Sequence, residues 1–284
     1  RRIGAASNQW TRNREQMRVI PLGPEGPALF KVRDATGKER SINIPRRASY
    51  NALLPQLQRP DAAPVAKLDG NVGYLDVERM DQYSVDSLIV ALKDTRALLL
   101  DLRTDTIAPN VINRLLHRLA SQSRYMRTRQ IVRFSMAPCA GFPLRQVATV
   151  CPDERVEQVE WANGDLVDHY RGRVVLLIDE RTQGNAERLA LALESATAVT
   201  YVGSPSAGAA SPAITLELPG ALTVGIPVVE VRRADGGQVQ RVGITPNVDV
   251  RPTVQGIRNH RDEVLERAHQ WIVQQLDPPA RRKR

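Results

Sequence analysis

A chain of 284 residues with 42% hydrophobic and 25% charged side chains can bury one large core and is too polar to be built of membrane spans. Its longest apolar stretches, such as residues 97–100 and 174–178, are strand-length and far below the ~20 residues of a spanning helix. The net charge of +9 predicts nonspecific attraction to anionic surfaces, but no helix-turn-helix, zinc-finger or RNP pattern accompanies it, which argues against specific nucleic-acid reading.

Residues 1–60 read as a small β region. Segments 28–33 and 41–44 alternate apolar and polar residues around a turn at 34–38. A proline-containing stretch, 57–64, is a linker candidate. The main domain is expected over 65–276 and starts with a strand at 71–77. Val85, Leu88, Ile89 and Leu92 have helical spacing within 84–95. A buried strand at 97–102 and a helix over 110–121 follow, then an arginine-rich variable segment to about residue 161.

The central strand is expected at 170–178, an elbow at 182–185 and a helix from Ala186, with Asn185 as its cap. A short strand at 200–203 leads into the loop 204–210. Three β segments, 213–218, 222–231 and 238–243, precede a closing helix over 261–275. Asp235-Gly236-Gly237 supplies a hairpin turn between the last two of these segments. Residues 277–284 form a proline-arginine tail, expected to be disordered. Strands alternating with crossover helices give an α/β fold with a parallel-containing sheet covered by helices.

Cys139 and Cys151 fit either a loop-closing disulfide in an exported protein or two free thiols in the cytosol. Neither has ligand spacing with His117, His169, His260 or His269, so no metal site is expected. The chain begins Arg1-Arg2 without a methionine, which points to a fragment or processed product.

The most informative stretch runs from Val174 to Glu187. An apolar run ends in Asp179-Glu180, turns sharply and enters a helical segment, which is where α/β enzymes mount a nucleophile. Gly184 stands at that elbow. Ser204 and Ser206 lie in the loop expected to approach it; beside Pro205, turn hydrogen bonding is their simplest role. No Ser-His-Asp set can be nominated from spacing.

Five segments in order resemble the tail-specific, or C-terminal-processing, serine peptidases. They are Gly73-Tyr-Leu-Asp76, Leu99-Leu-Asp-Leu-Arg103, the elbow 179–187, Val202-Gly-Ser-Pro-Ser-Ala-Gly208 and Gly243-Ile-Thr-Pro-Asn-Val-Asp-Val250. The resemblance covers roughly residues 68–276 and implies a ClpP/crotonase-like core, with residues 1–60 as the remnant or end of an upstream module. It also implies a serine-type peptidase needing no cofactor, whose ligand is an extended peptide or protein C-terminus, located in the cell envelope or secreted.

Against the family's T-x-S-x-[SA]-E elbow, Thr182 and Glu187 match, and Gly184 takes the place of the nucleophilic serine. Ala209 stands where many members carry a general-base lysine. Arg103-Thr-Asp-Thr-Ile-Ala-Pro-Asn110 replaces the glycine-rich turn that helps hold the oxyanion. Three altered positions imply a catalytically impaired member whose cleft, formed around Asn185, Gly203, Ser204, Thr104 and Asp105, binds peptide without cleaving it. Two alternatives stay open. One is an active endopeptidase with a displaced nucleophile, Ser206 or Ser204; the other is a basic scaffold for anionic partners.

Overall fold

A computed structural model of the chain describes residues 7–20, 22–34, 36–47, 64–81, 83–121, 128–135, 151–159, 169–220, 222–227 and 229–277. The linker expected at 57–64 (Pro64 apart), the Cys139 partner of any disulfide and residues 278–284 of the tail lie outside them.

Continuous apolar runs form a central sheet because both of its faces are covered. Strands β3 (Val65–Leu68), β4 (Val72–Asp76), β5 (Ala97–Asp101), β8 (Arg173–Ile178), β9 (Val199–Gly203) and β13 (Val248–Asp249) are ordered β13-β9-β8-β5-β4-β3. All neighbours are parallel except β3 and β4. Successive side chains point to opposite faces. Thus Leu98 and Leu100 of β5 join the cluster that contains Ile89 of helix α2 (Val85–Leu92), Leu115 of α3 (Pro109–Leu119) and Leu189 of α4 (Asn185–Ala196). Leu99 turns the other way, to a cluster with Ala268 and Ile272 of α6 (Glu263–Leu276). The expected α/β architecture with a parallel-containing sheet is therefore present.

Helix ends follow local chemistry. Pro109 opens α3, where its missing N–H costs nothing. Asp262 caps α6 by accepting from the Leu265 N–H, and Glu263 and Glu266 in its first turn complement the helix dipole.

Several segments differ from the sequence expectation. Residues 9–19, placed in a β region, form the helix α1 (Gln9–Val19). Its sequence is so polar that no apolar stripe announces it. The hairpin of β1 (Gly26–Arg33) and β2 (Glu39–Arg46) follows. The arginine-rich segment contains two strands, β6 (Thr128–Ser135) and β7 (Cys151–Val159), which pair with each other and with β12 (Val229–Arg232). The single segment expected at 222–231 is divided. β11 (Leu222–Pro227) pairs with β10 (Ala213–Leu218), whereas β12 belongs to the other sheet.

Residues 238–243 make only one bridge, Arg232 to Gln238, before turning, with Arg241 at φ 69°. Gly243 N–H closes that turn on the Val239 carbonyl at 2.8 Å. A short helix, α5 (Val254–Arg258), was not foreseen.

Arg103 joins the sheet to α6. Its guanidinium donates to Asp101 from Nε at 2.9 Å and from Nη2 at 2.6 Å, and to both Asp262 oxygens at 2.8 and 2.6 Å. Tyr74 donates to the second Asp101 oxygen at 3.0 Å. Asp101 is wholly shielded from solvent, with 0% side-chain exposure. Removing its partner strands a buried charge, so Arg103→Leu should lower unfolding free energy by about 3–5 kcal/mol. Urea denaturation measures the loss, and adding Asp101→Leu should recover part of it.

Candidate active site

The apolar run of β8 stops at Ile178, and the next six residues form the elbow. Thr182 holds its shape. Its hydroxyl accepts from the Asp179 N–H at 3.0 Å and donates to the Leu102 carbonyl at 2.8 Å. Gly184 follows at φ 58°, ψ −114°, and caps α4. These angles are ones an L side chain rarely adopts, the kind of strain on which nucleophile elbows are built. A Cβ on Gly184 would meet no atom within 4 Å. The elbow keeps its bend and an open corner, but has no side-chain atom there.

Glu187, in the first turn of α4, is fully buried. Its Oε1 accepts from the Ser206 hydroxyl at 2.5 Å and the Gly208 N–H at 2.6 Å; its Oε2 accepts from the Ala209 N–H at 2.7 Å. The Gly184 N–H turns instead to the Ala209 carbonyl at 3.2 Å, so the elbow is tied to the same loop that the carboxylate holds. Burial pushes the Glu187 carboxyl above its ordinary range, while the donors at Ser206, Ala209 and Gly208 pull against it.

Ser206 has 0% exposure, and its hydroxyl also accepts from the Ile244 N–H at 2.6 Å. Both its donor and acceptor functions are thus committed. Ala209 sits against the elbow through its backbone, since its carbonyl accepts from the Gly184 N–H at 3.2 Å. Gly203 ends β9 where a Cβ would lie 2.0 Å from the Ile178 carbonyl oxygen, so no larger residue fits. Ser204 is buried, and its hydroxyl donates to the Glu180 carboxylate at 3.3 Å.

The turn after β5 also meets the elbow, through acceptors. Leu102 accepts from Thr182, the Thr104 carbonyl from the Gln183 N–H at 3.3 Å, and the Ile107 carbonyl from the Asn185 amide at 2.8 Å. The Thr104 N–H is taken by the Leu102 carbonyl at 2.8 Å. Oxyanion stabilisation needs N–H donors facing the reacting carbonyl, whereas this turn presents C=O groups to the elbow. Asn185 is not the helix cap expected from sequence. Gly184 is, and Asn185, at the first helical position, uses its amide to hold the turn. Asp105 lies exposed at the tip, bonded to the Thr106 hydroxyl at 3.1 Å.

One contributor went unread in the sequence, the polar face of α1. Asn8 donates to the Ser206 and Val242 carbonyls at 2.9 and 3.2 Å, and Thr11 to the Ala207 carbonyl at 3.2 Å. Ser7 donates to the same Ala207 oxygen. Arg14 reaches the elbow itself, donating to the Glu180 carbonyl at 2.8 Å and the Gln183 side chain at 3.0 Å. Between α1 and the core runs a groove of about 670 Å³, lined by Trp10, Arg14, Met17, Glu180, Ser204 and Arg251 among others. Nothing in the hydrophobic pattern could reveal this face; the only signal was the Ser/Asn/Thr cluster at 7–11.

The histidines do not meet at the elbow. His117 is exposed on α3, and His269 bonds the Asp69 carbonyl at 2.8 Å. Among the described residues no group of three His, Cys, Asp or Glu is placed to hold a metal ion.

Replacing Glu187 with glutamine turns an amide NH2 toward backbone N–H donors and should cost about 1–3 kcal/mol. A carboxyl whose folded pKa is raised stabilises the fold below its unfolded pKa and loses that contribution as pH rises through the folded value. The deficit of Glu187→Gln should therefore be larger near about pH 4 than near about pH 7, as read by urea unfolding of both proteins across that range.

The chain is similar to the structure of mature CPAF complexed with lactacystin, with TM-score 0.66 and 14% identity over 93% of this chain and 72% of that one. It is similar to a putative peptidase from Parabacteroides merdae, with TM-score 0.53 and 15% identity over 78% and 70% of the two chains. A lipoprotein from Streptococcus agalactiae gives TM-score 0.50 and 13% identity over 73% and 68%. At these identities the likeness is one of fold. No curated protein matches by sequence. The sequence profile of peptidase family S41 matches residues 71–250, which include every strand of the central sheet except β3, together with the elbow and the loop that closes on it, and the chain belongs to that family.

Proposed function

We propose that this member of the S41 family is catalytically impaired and holds an extended peptide or a protein C-terminus without cleaving it. The observation that carries this reading is Gly184, which keeps the elbow backbone at φ 58° and ψ −114° and supplies no nucleophile. Acyl transfer needs a nucleophile, a proton acceptor and oxyanion donors. Ala209 brings only a carbonyl to the elbow, and the turn at 102–107 brings three more. Ser206 does not substitute, because its hydroxyl is buried between Glu187 and the Ile244 N–H.

Without a covalent step, the remaining capacity is recognition of extended chain by strand addition and side-chain pockets. The matching location is the cell envelope or the exterior, in keeping with the lipoprotein among the similar structures. Among the described residues, no helix is long and apolar enough to cross a membrane.

One contact favours the second reading, an active peptidase with a displaced nucleophile. Ser204 places a hydroxyl against the Glu180 carboxylate at the groove wall. The two readings separate cleanly by experiment. Casein and peptide hydrolysis, with labelling by a serine-directed fluorophosphonate, should be absent from the unmodified chain and from Gly184→Ser. Turnover or labelling of the unmodified chain, abolished by Ser204→Ala, would establish the second reading. Reactivity confined to Gly184→Ser would mean that base and oxyanion functions survive and that Gly184 alone silences the site.

A further inference from the structure

The groove beside the elbow has one wall from α1 and the other from the ends of β8, β9 and the segment after β13. The Val250 N–H donates to the Gly203 carbonyl at 2.9 Å, which brings Arg251 next to Ser204. Its guanidinium carbon lies 4.1 Å from the centre of the Trp10 ring. Held over the indole, the guanidinium keeps its Nη pair as a donor fork of the kind that matches a carboxylate. Among the described residues Arg251 makes one ion pair, from Nε to Asp249 at 3.6 Å, and its two Nη nitrogens make no hydrogen bond.

The rest of the lining is largely apolar. Met17 and Ile257 expose 69% and 63% of their surface there, and Pro252 joins them. A volume of about 670 Å³ falls in the ~300–1,000 Å³ range of ligand sites. Arg14, Arg18 and Arg251 line it with one carboxylate, Glu180; Arg14 and Arg18 share Glu15 at 2.8 and 3.3 Å, so three arginines face two acids.

We propose that this groove binds an extended peptide through an acidic side chain held by the Arg251 fork, with a neighbouring apolar side chain against Trp10, Met17 and Ile257. The inference rests on the peptide-binding reading and adds the chemistry of the bound segment. Charge selects the occupant. The cationic lining and the chain's net +9 favour an acidic partner. Glu180 in the same wall disfavours the repeated charges of a nucleic-acid strand. The neighbouring carbonyls of Ala207, Ser206 and Glu180 are taken by α1, and the groove is open to solvent along one side. It therefore lacks the closed, N–H-lined end that captures a chain terminus, so the carboxylate is that of a side chain within the peptide.

The test is fluorescence anisotropy of a labelled, N-acetylated and C-amidated hexapeptide with a central Leu-Asp pair, titrated with the full chain. A Leu-Asn twin, and the Leu-Asn peptide with a free C-terminal carboxylate, are run beside it. The Asp-to-Asn change and Arg251→Gln should each weaken binding by about tenfold, and Arg251→Gln should bind the Asp and Asn peptides alike. Trp10→Leu, which leaves every charge in place, should give a smaller loss of the same Asp preference. Circular dichroism melts establish that each variant is folded.

Equal binding of the Asp and Asn peptides overturns the proposal, as does binding that requires the free terminal carboxylate or is indifferent to Arg251→Gln. In those cases peptide binding itself stands. If none of these peptides, nor a degenerate peptide mixture, binds the unmodified chain, the peptide-binding reading falls with it.

Discussion

One carboxylate organises the elbow and the loop beside it. Glu187 has no solvent to hydrate it, so its charge is stable only while the surrounding donors stay in place. Those donors tie three parts of the chain together. They sit in the loop at Ser206, Gly208 and Ala209; one step removed are Ile244, whose N–H orients the Ser206 hydroxyl, and the elbow at Gly184, whose N–H bonds the Ala209 carbonyl. Each segment is fixed directly or through one bond to the same side chain, and none can shift without leaving a buried group unsatisfied. This is why the T-x-x-x-x-E spacing of the elbow is compatible with glycine at the position between its ends.

Shape and reactivity are held by different residues in this site. Thr182, Glu187 and Ser206 hold the backbone; the nucleophile and base positions contribute only peptide groups. A serine at φ 58° would carry about 1–3 kcal/mol of backbone strain, which glycine does not. Glycine thus leaves the elbow relaxed, while Thr182, Glu187 and Ser206 hold its supports. The open corner around a Cβ at Gly184 shows that the surroundings have not closed over the missing side chain, as expected when neighbours are fixed by hydrogen bonds rather than by packing against it.

The sequence disclosed this arrangement unevenly, for physical reasons. Buried parallel strands such as 97–101 and 173–178 read clearly because both faces demand apolar residues. The amphipathic helices α3 and α6 were equally plain. β6 and β7 were missed because their arginines and glutamates break the apolar signal, and their pairing with β12 is nonlocal. At the site, Gly184, Ala209 and Ser206 were singled out from motif positions, and the chain does bring them together. What motif spacing could not supply was direction. Missing glycines mark the 103–110 turn in the sequence; in the structure the Leu102, Thr104 and Ile107 carbonyls face the elbow.

Helix α1 is the extreme case, and the reason bears on function. It is docked mainly by donors. Asn8, Thr11 and Arg14 each bond a core carbonyl, and only Thr11 is buried among its described side chains. An interface of that kind needs polar residues along the contacting face, so the helix carries no stripe to read. It also behaves differently from a packed helix. Hydrogen bonds exchanged with water contribute little net free energy apiece, so its attachment depends on several weak contacts acting together. The groove that holds the Trp10–Arg251 stack exists only while those contacts hold. The shape of the groove therefore follows from the polar docking of a helix that lies outside residues 71–250, beside an elbow that carries glycine at its bend.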